Sequence, residues 1–447
     1  MTFSVETLGC KVNQYESQAI EAILKARGHT ARAPGEICDA YIINTCCVTS
    51  ESGRKSRQAI RRLRRERGGA VIAVCGCFSQ IDPEAAAELG ADVVMGSGDR
   101  LGLADGVERA YAAGRGNRGG SPPAVHVDDP QLRREFERLP AGGADRNRTR
   151  ALLKIQDGCD NYCAYCIIPF ARGRCRSLPP DEAAAEAARL RGAGYREIVI
   201  TGIEISSYGA GAVGGHALTD AVRAIAAAAG GARLRLGSLQ PGAVDAAFAE
   251  AMASIPGVCP HFHLSLQSGC DATLRRMNRH YTAERVYGAV RALRGAFPGC
   301  GVTADLIAGF PGETDSEFGT TLEFIEKCEF SRMHVFPFSP RPGTVAAEMP
   351  GQLGAEAKRE RTMEAREVAR RLAREFALRN VGAMADVLFE SERDGVSSGY
   401  AGNYLRVSAR GEGLRNRMLR VAVTSACGEG AWGDIQITDD SWEFSCC

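Results

Sequence analysis

Asp157-Gly158-Cys159-Asp160-Asn161-Tyr162-Cys163-Ala164-Tyr165-Cys166 is the stretch on which the reading of this chain turns. Its three cysteines stand with three and then two residues between them. Such a set can ligate three irons of a cubane and leave the fourth iron open to a small chelating molecule. Two other uses of cysteine compete with this one: buried or disulfide-bonded thiols, and zinc. Zinc sites generally ask for four protein ligands, and Asp160, Asn161 and Tyr162 supply no obvious fourth.

The flanking sequence sets the motif in a repeating pattern. Residues 151–156 read as a strand ending just before Cys159, and further strands are expected at 198–202, 232–238, 262–267, 301–307 and 332–336. Helical stretches at 181–192, 243–254, 283–296 and 316–328 separate most of them. Six β/α units are too few to close an eight-stranded barrel, so a partial (β/α)6 barrel is expected over residues 151–378, with chemistry at the carboxyl ends of its strands. Gly202 and Gln267 fall at two of those ends and are candidate cofactor contacts, with turn and packing roles as the alternative.

Residues 1–112 repeat the alternation, with strands expected at 3–8, 40–44, 70–74 and 92–95 and helices near 14–27, 53–67 and 83–89. This predicts an open parallel sheet. Cys10, Cys46 and Cys77 follow its first three strands, and ligands of open parallel sheets sit beyond the carboxyl ends of the strands, so these three should converge. Cys47 and Cys75 are rivals within two of the pairs, because alternation can point either neighbour at the site. Ordinary core packing is the competing use of all five.

Residues 113–150, rich in Gly, Pro, Arg and Asp and containing Gly119-Gly120-Ser121-Pro122-Pro123, read as a linker. The helix at 355–379 carries interspersed Arg and Glu, an exposed ion-paired surface. Residues 379–447 change to short β patterns at 386–390, 404–409, 418–424 and 434–438, which predicts a small antiparallel barrel of the oligonucleotide-binding type. There Tyr400, Tyr404, Arg406, Arg415, Arg417 and Arg420 offer stacking and charge to a nucleic acid, or merely pack on neighbours.

The chain has 447 residues, 45% of them hydrophobic and 24% charged, which suits a protein of two or three domains. No run approaches the roughly 20 apolar residues of a spanning helix, and no leader is expected at Met1-Thr2-Phe3-Ser4, so a cytoplasmic protein without membrane contact is expected. Seventeen unevenly spaced cysteines in so large a chain read as metal ligands and free thiols rather than a disulfide framework, and Cys446 and Cys447 as a frayed end. The net charge of +1 hides a dense basic helix, with Arg54, Lys55, Arg57, Arg61, Arg62, Arg64, Arg65 and Arg67 against Glu51 and Glu66. It is either a solvated face or a phosphate-contacting one.

With the aromatic Tyr165 just before its last cysteine, the opening motif resembles that of the radical S-adenosylmethionine enzymes. The whole chain resembles their methylthiotransferase branch. The motifs that carry this are Leu8-Gly9-Cys10-Lys11-Val12-Asn13-Gln14, Asn44-Thr45-Cys46, Val74-Cys75-Gly76-Cys77, Cys166-Ile167-Ile168-Pro169-Phe170-Ala171-Arg172-Gly173, Ser265-Leu266-Gln267-Ser268-Gly269, Ala308-Gly309-Phe310-Pro311-Gly312-Glu313-Thr314 and His334-Val335-Phe336-Pro337-Phe338-Ser339. The tail from Asp394-Gly395 to Val407 is similar to that family's C-terminal TRAM barrel.

The resemblance implies two [4Fe-4S] clusters, one on Cys159, Cys163 and Cys166 and one on Cys10, Cys46 and Cys77, with S-adenosylmethionine bound near Tyr165 and cleaved to a 5'-deoxyadenosyl radical. It implies methylthiolation of N6-threonylcarbamoyladenosine beside the anticodon, at position 37 of tRNA, with the anticodon stem-loop, a reducing electron donor and a sulfur source as partners. No side chain is assigned a catalytic role. The same chemistry on N6-isopentenyladenosine, or on an aspartate of a ribosomal protein, is the nearest alternative; a nucleic-acid-binding iron-sulfur redox sensor is the alternative of another class. Cys47 and Cys75 stand where the related enzymes usually carry threonine, and Glu204 where a neutral residue or histidine is expected, so these three are left open.

Overall fold

The computed structural model describes residues 1–114, 122–140, 148–210 and 217–436. The amino-terminal part is an α/β layer built on β1 (Thr2–Thr7), β2 (Thr30–Ala31), β3 (Ala40–Thr45), β4 (Val71–Gly76), β5 (Val93–Met95) and β6 (Ala124–His126). All neighbours pair in parallel, in the order β2-β1-β3-β4-β5-β6. β3 and β4 are buried at every position, as continuous apolar runs covered on both faces should be. Helices α1 (Lys11–Ala26) and α2 (Ser50–Glu66) follow β1 and β3. A short helix α3 (Cys77–Ile81) opens at the end of β4. One strand comes from the segment read as a linker, since Ala124-Val125-His126 pairs with Val93-Val94-Met95.

The central part holds β7 (Arg150–Lys154), β10 (Glu197–Thr201), β11 (Arg233–Leu236), β12 (Ser238–Leu239), β13 (His261–Gln267), β14 (Gly301–Ala308) and β15 (Arg332–Pro337), and between the first two the hairpin strands β8 (Gln156–Asp157) and β9 (Arg176–Ser177). The parallel strands form two sheets, β11-β10-β7 and β12-β13-β14-β15. The third expected strand is therefore broken at Gly237, its first half pairing with β10 and its second with β13. This is the open, partial barrel expected. The antiparallel β8–β9 hairpin, unforeseen, clasps the loop that carries Cys159, Cys163 and Cys166.

The last part is a closed barrel of β16 (Met384–Arg393), β17 (Val396–Ala401), β18 (Arg406–Arg410), β19 (Met418–Cys427) and β20 (Gly430–Ile435), in the order β16-β17-β18-β20-β19. It is not wholly antiparallel as expected, because β18 and β20 pair in parallel to close it. β17 was not expected either. It completes a hairpin whose turn, Asp394-Gly395, takes positive φ at both residues. The strand expected at 434–438 runs instead over Gly430–Ile435; residues beyond 436, including Cys446 and Cys447, lie outside the described set.

This barrel closes the amino ends of the partial barrel. Arg235 donates to Gly402 O (2.9 Å) and Ala401 O (3.2 Å), and Arg233 to Tyr400 O (2.7 Å). Tyr404 stacks on His261 at 4.3 Å and on Tyr400 at 4.7 Å. Both tyrosines are thus committed to the junction between the parts, and Arg406, Arg415, Arg417 and Arg420, like Arg393 and Arg410, are exposed on the barrel. Among the described residues no helix is long and apolar enough to cross a membrane.

The amino-terminal and central parts are joined by buried charge. Glu16, on α1, takes Arg172 at 2.6 Å, Arg100 at 2.8 Å and Lys154 at 3.0 Å, and all four side chains are wholly buried. Asp157 extends the network through Lys154 (2.6 Å) and Arg172 (3.3 Å). Burial works to raise the Glu16 carboxyl, but Arg100, Arg172 and Lys154 outweigh it and hold the group well below the ordinary carboxylate range. Asp157 is lowered in the same way, by Lys154 and Arg172 against burial.

Removing one partner of such a network strands the others without counter-charge, at a cost of about 3–5 kcal/mol. Glu16→Gln should therefore lose stability of that order in urea denaturation at neutral pH. Because both carboxyls are depressed in the folded chain, their contribution is complete above the unfolded values and is lost as the pH falls below about 4.5. The urea midpoint of the unmodified chain should fall more steeply through that window than that of Glu16→Gln.

Candidate metal centres

Cys10, Cys46 and Cys77 sit immediately past the ends of β1, β3 and β4, three adjacent strands of one sheet. Cys10 is the N-cap residue of α1 but spends no side-chain bond on the cap. Gly9 lets the first two meet: its φ is +111°, and a Cβ there would lie 2.7 Å from Cys46 Cβ and 2.9 Å from Cys46 Sγ. Burial pushes the Cys77 thiol up to about 12, with Arg172 opposing and Cys46 and Cys10 adding to the rise. Burial also raises the Cys10 thiol, with Arg172 opposing, although the residue is exposed at the surface.

The two rivals separate. Cys75 lies in β4 on the face packed with Phe3, Ile42 and Ala73, whereas Cys77 belongs to the cluster on the opposite face with Ile43 and Val74. Cys47 is buried beside Cys77 and Cys46, and burial followed by those two thiols raises it strongly.

Cys159, Cys163 and Cys166 lie on the loop between β8 and β9. Gly158 anchors its start at φ +76°, where a Cβ would meet Arg174 O at 1.9 Å. Arg279 Nη1 donates to Cys163 Sγ at 3.0 Å, and Asn161 Nδ2 to Cys159 Sγ at 3.2 Å. Burial raises Cys159 to about 11 and Cys166 to about 12; the neighbouring thiols add to both. Tyr165 sits edge-on to Phe310 at 6.5 Å, and burial, with Arg279 opposing and Cys163 and Cys166 adding, holds its hydroxyl well above the ordinary range.

The described cysteines are all free. Among the described residues no group of three or more His, Cys, Asp or Glu side chains is gathered closely enough to hold a metal ion. Each triad instead has what an anionic polynuclear cluster asks of its surroundings: three thiols and a cationic donor. Arg172 and Arg279 are those donors, and the buried Nε of Arg172 has no hydrogen-bond partner among the described residues. The network behind Arg172 carries four cations, Arg100, Lys154, Arg172 and Arg176, against the two carboxylates of Glu16 and Asp157, an excess that thiolate ligands would balance.

Packing joins the segments that carry the two triads. Ile167 and Ala171, just past Cys166, pack in one cluster with Cys47, Cys77 and Phe78. Arg341, beyond β15, donates to Cys47 O at 2.9 Å and to Ser50 Oγ at 3.0 Å. Gly202 packs against Gln156, whose Oε1 a Cβ would meet at 2.8 Å, and Gln267 ends β13 with φ +69°. Glu204 faces inward: it is 7% exposed, caps Ser206 N at 3.1 Å, and burial raises its carboxyl against the pull of Gln240, Ser206 and Arg279.

Sequence reasoning passed over Arg172, although it lies inside a quoted motif, and Arg279, which no motif flags. On α2, Arg62 pairs with Glu6 (2.6 Å) and Arg64 with Asp92 (2.5 Å), while Lys55, Arg61 and Arg65 line with Arg62 a groove of about 560 Å³ beside Leu8.

The chain matches two family models, the Radical SAM superfamily over residues 153–325 and the Uncharacterized protein family UPF0004 over residues 2–96. It is 37% identical to the threonylcarbamoyladenosine tRNA methylthiotransferase MtaB of Bacillus subtilis, across 95% of this chain and 94% of that one. The protein of the same name from Thermotoga maritima is 38% identical, across 91% and 90%. A tRNA-2-methylthio-N(6)-dimethylallyladenosine synthase of Anaeromyxobacter dehalogenans is 36% identical, across 87% and 83%. In fold the chain is similar to the radical S-adenosylmethionine methyltransferase TsrM of Kitasatospora setae, with a TM-score of 0.56 at 15% identity over 89% of this chain and 80% of that one.

The closeness of Cys10 and Cys46 has a direct test. Gly9→Ala meets both a positive φ and a clash with Cys46, whereas Gly35→Ala meets a positive φ of +96° and nothing within 4 Å. Gly9→Ala should cost on the order of 1–3 kcal/mol more than Gly35→Ala in chemical denaturation.

Proposed function

The chain belongs to the radical S-adenosylmethionine methylthiotransferases, and from that premise we propose that it replaces the C2 hydrogen of N6-threonylcarbamoyladenosine in tRNA with a methylthio group. It is a sulfur-transferring enzyme whose chemistry calls for a [4Fe-4S] cluster and S-adenosylmethionine. The observation that supports the finer reading is the second triad, Cys10, Cys46 and Cys77, which follows three adjacent strands whose packing cluster also takes up the segment just past Cys166. A generator of radicals needs one cluster; a second set of three thiols with its own cationic donor suits a second [4Fe-4S] cluster and a sulfur to be delivered.

When bound, the cofactors supply a carbon-centred radical and the methylthio group, which the unactivated C2–H of an adenine requires because no side-chain base at physiological pH can ionise that bond. The protein's own part is to hold and screen. Arg279 and Arg172 present N–H groups to Cys163 and Cys77 and favour anionic sulfur there. Tyr165, Gly202 and Gln267 are assigned to S-adenosylmethionine, the first through its ring and the other two through backbone, since the Gly202 side is filled by Gln156 and Gln267 forms a turn. The inward Glu204 carboxylate gives the same region a negative partner for an ammonium group. The basic groove of α2 offers phosphate contacts to the RNA. A reducing electron donor and a sulfur source complete the cycle, and a tRNA substrate puts the enzyme in the cytoplasm.

Mass spectrometry of tRNA nucleosides tests the substrate. A deletion strain should lack 2-methylthio-N6-threonylcarbamoyladenosine and keep its unthiolated parent; persistence of the thiolated base, or loss of the isopentenyl one instead, overturns the choice. In the purified enzyme, Cys10→Ala and Cys163→Ala should each lose about half of the bound iron. Only Cys163→Ala should abolish formation of 5'-deoxyadenosine from S-adenosylmethionine and a reductant.

A further inference from the structure

The inner face of the partial barrel carries polar side chains that the rest of the fold does not use. Leu264 of β13, Ala304 of β14, and Met333 and Val335 of β15 turn outward, into the core shared with the surrounding helices. Alternation along each strand turns His263, Asp305, Arg332, His334 and Phe336 the other way. The register between β14 and β15 sets Thr303 beside Arg332, Asp305 beside His334 and Ile307 beside Phe336. His263 spends both ring nitrogens here, on Thr303 Oγ1 at 2.9 Å and on Asp305 Oδ2 at 3.0 Å. Arg332 and His334 make no side-chain hydrogen bond or ion pair among the described residues.

Three of these side chains form a ladder along β15. Phe336, 43% exposed, stands nearest the carboxyl end, the His334 ring lies 6.5 Å from it, and Arg332 begins the strand. Just beyond Phe336 the same segment meets the loop of Cys46: Ser50 N donates to Ser339 Oγ at 2.9 Å, and Arg341 donates to the carbonyl of Cys47 at 2.9 Å. Burial lowers the His334 ring against the pull of Asp305, so at neutral pH it offers one N–H donor and one acceptor nitrogen. From the cysteine end inward there follow an open aromatic ring, a neutral donor and acceptor, and an unpaired cation. N6-threonylcarbamoyladenosine carries the complementary groups in the same order: a flat base, then a ureido N–H and a hydroxyl, then a terminal carboxylate. The isopentenyl base ends in hydrocarbon instead, which would strand His334 and Arg332 without partners.

We propose that this ladder selects the substrate: the adenine ring lies against Phe336, the ureido and hydroxyl groups meet His334 and Asp305, and the terminal carboxylate pairs with the Arg332 guanidinium. The inference rests on the reading of the substrate as N6-threonylcarbamoyladenosine. A planar guanidinium suits a carboxylate because it can donate two parallel N–H groups to the two oxygens.

Synthetic anticodon stem-loop RNAs carrying N6-threonylcarbamoyladenosine, its methyl ester or N6-isopentenyladenosine, offered to the anaerobically reconstituted full-length enzyme, test it, with methylthio nucleosides read by mass spectrometry. The unsubstituted enzyme should use the acid with a kcat/KM about a hundredfold above that of the ester. Arg332→Gln should lose about that factor on the acid and treat acid and ester alike. Arg359→Gln, an exposed arginine on the helix Ala355–Arg379, should keep the preference. Iron content checks that each variant is loaded, and Arg332→Ala carries the comparison if Arg332→Gln is not. Equal use of acid and ester by the unsubstituted enzyme, or a preference that survives the loss of Arg332, overturns the proposal while leaving the substrate reading standing. Methylthiolation of the isopentenyl RNA with none of the threonylcarbamoyl RNA overturns the substrate reading and the proposal with it.

Discussion

Glu16 is the residue on which the rest of the structure depends. It lies on α1, one turn and a half past Cys10, and its wholly buried carboxylate is shared by Arg100 of its own sheet layer and by Lys154 and Arg172 of the central part. Arg172 in turn reaches Cys77 on one side and Asp157, two residues before Cys159, on the other. One carboxylate thus ties together the supports of both triads. Buried ion networks are a poor source of net stability but a strict one of geometry, because any displaced member is left charged in a low dielectric. Here that strictness acts on the relative placement of two sets of thiols.

The central sheet divides its labour between its two ends. At the amino ends Arg233, Arg235 and His261 are taken up by backbone carbonyls and rings of the small barrel, which closes that side. At the carboxyl ends the loops after β7, β10 and β13 carry Cys159, Gly202, Glu204 and Gln267. The chemistry is left at the open end, as strand polarity in such barrels dictates.

Much of this was legible in the sequence, and what was not has physical reasons. That Cys10, Cys46 and Cys77 follow three adjacent strands was legible because strand ends are marked by where apolar runs stop, whereas Cys159, Cys163 and Cys166 stood out by their spacing alone. Cys75 could not be separated from Cys77 without knowing where β4 ends: two residues apart, they would share a face of a continuing strand, but the strand stops at Gly76, φ +102°, and Cys77 opens a helix on the opposite side. β17 was missed because Val396-Ser397-Ser398-Gly399 lacks the apolar alternation of a strand, although its turn was visible in Asp394-Gly395. β6 was hidden behind Pro122-Pro123 in a stretch whose composition reads as a linker. Tyr400 and Tyr404 looked equally suited to bases and to packing; only the position of His261 and Arg235, more than a hundred residues earlier in the chain, decides for the stack. Arg172 and Arg279 owe their roles wholly to tertiary placement, which no local pattern carries.

The clamp around Glu16 makes α1 and β7 parts of one cooperative unit, although they lie in different sheets. Native-state hydrogen exchange in increasing denaturant reads this directly. Amides of Lys11–Ala26 and of Arg150–Lys154 should exchange through a single opening, with one free energy and one denaturant dependence. Separate openings, with α1 exchanging at a much lower free energy than β7, would contradict the idea that buried charge holds the two cysteine triads in a fixed relation.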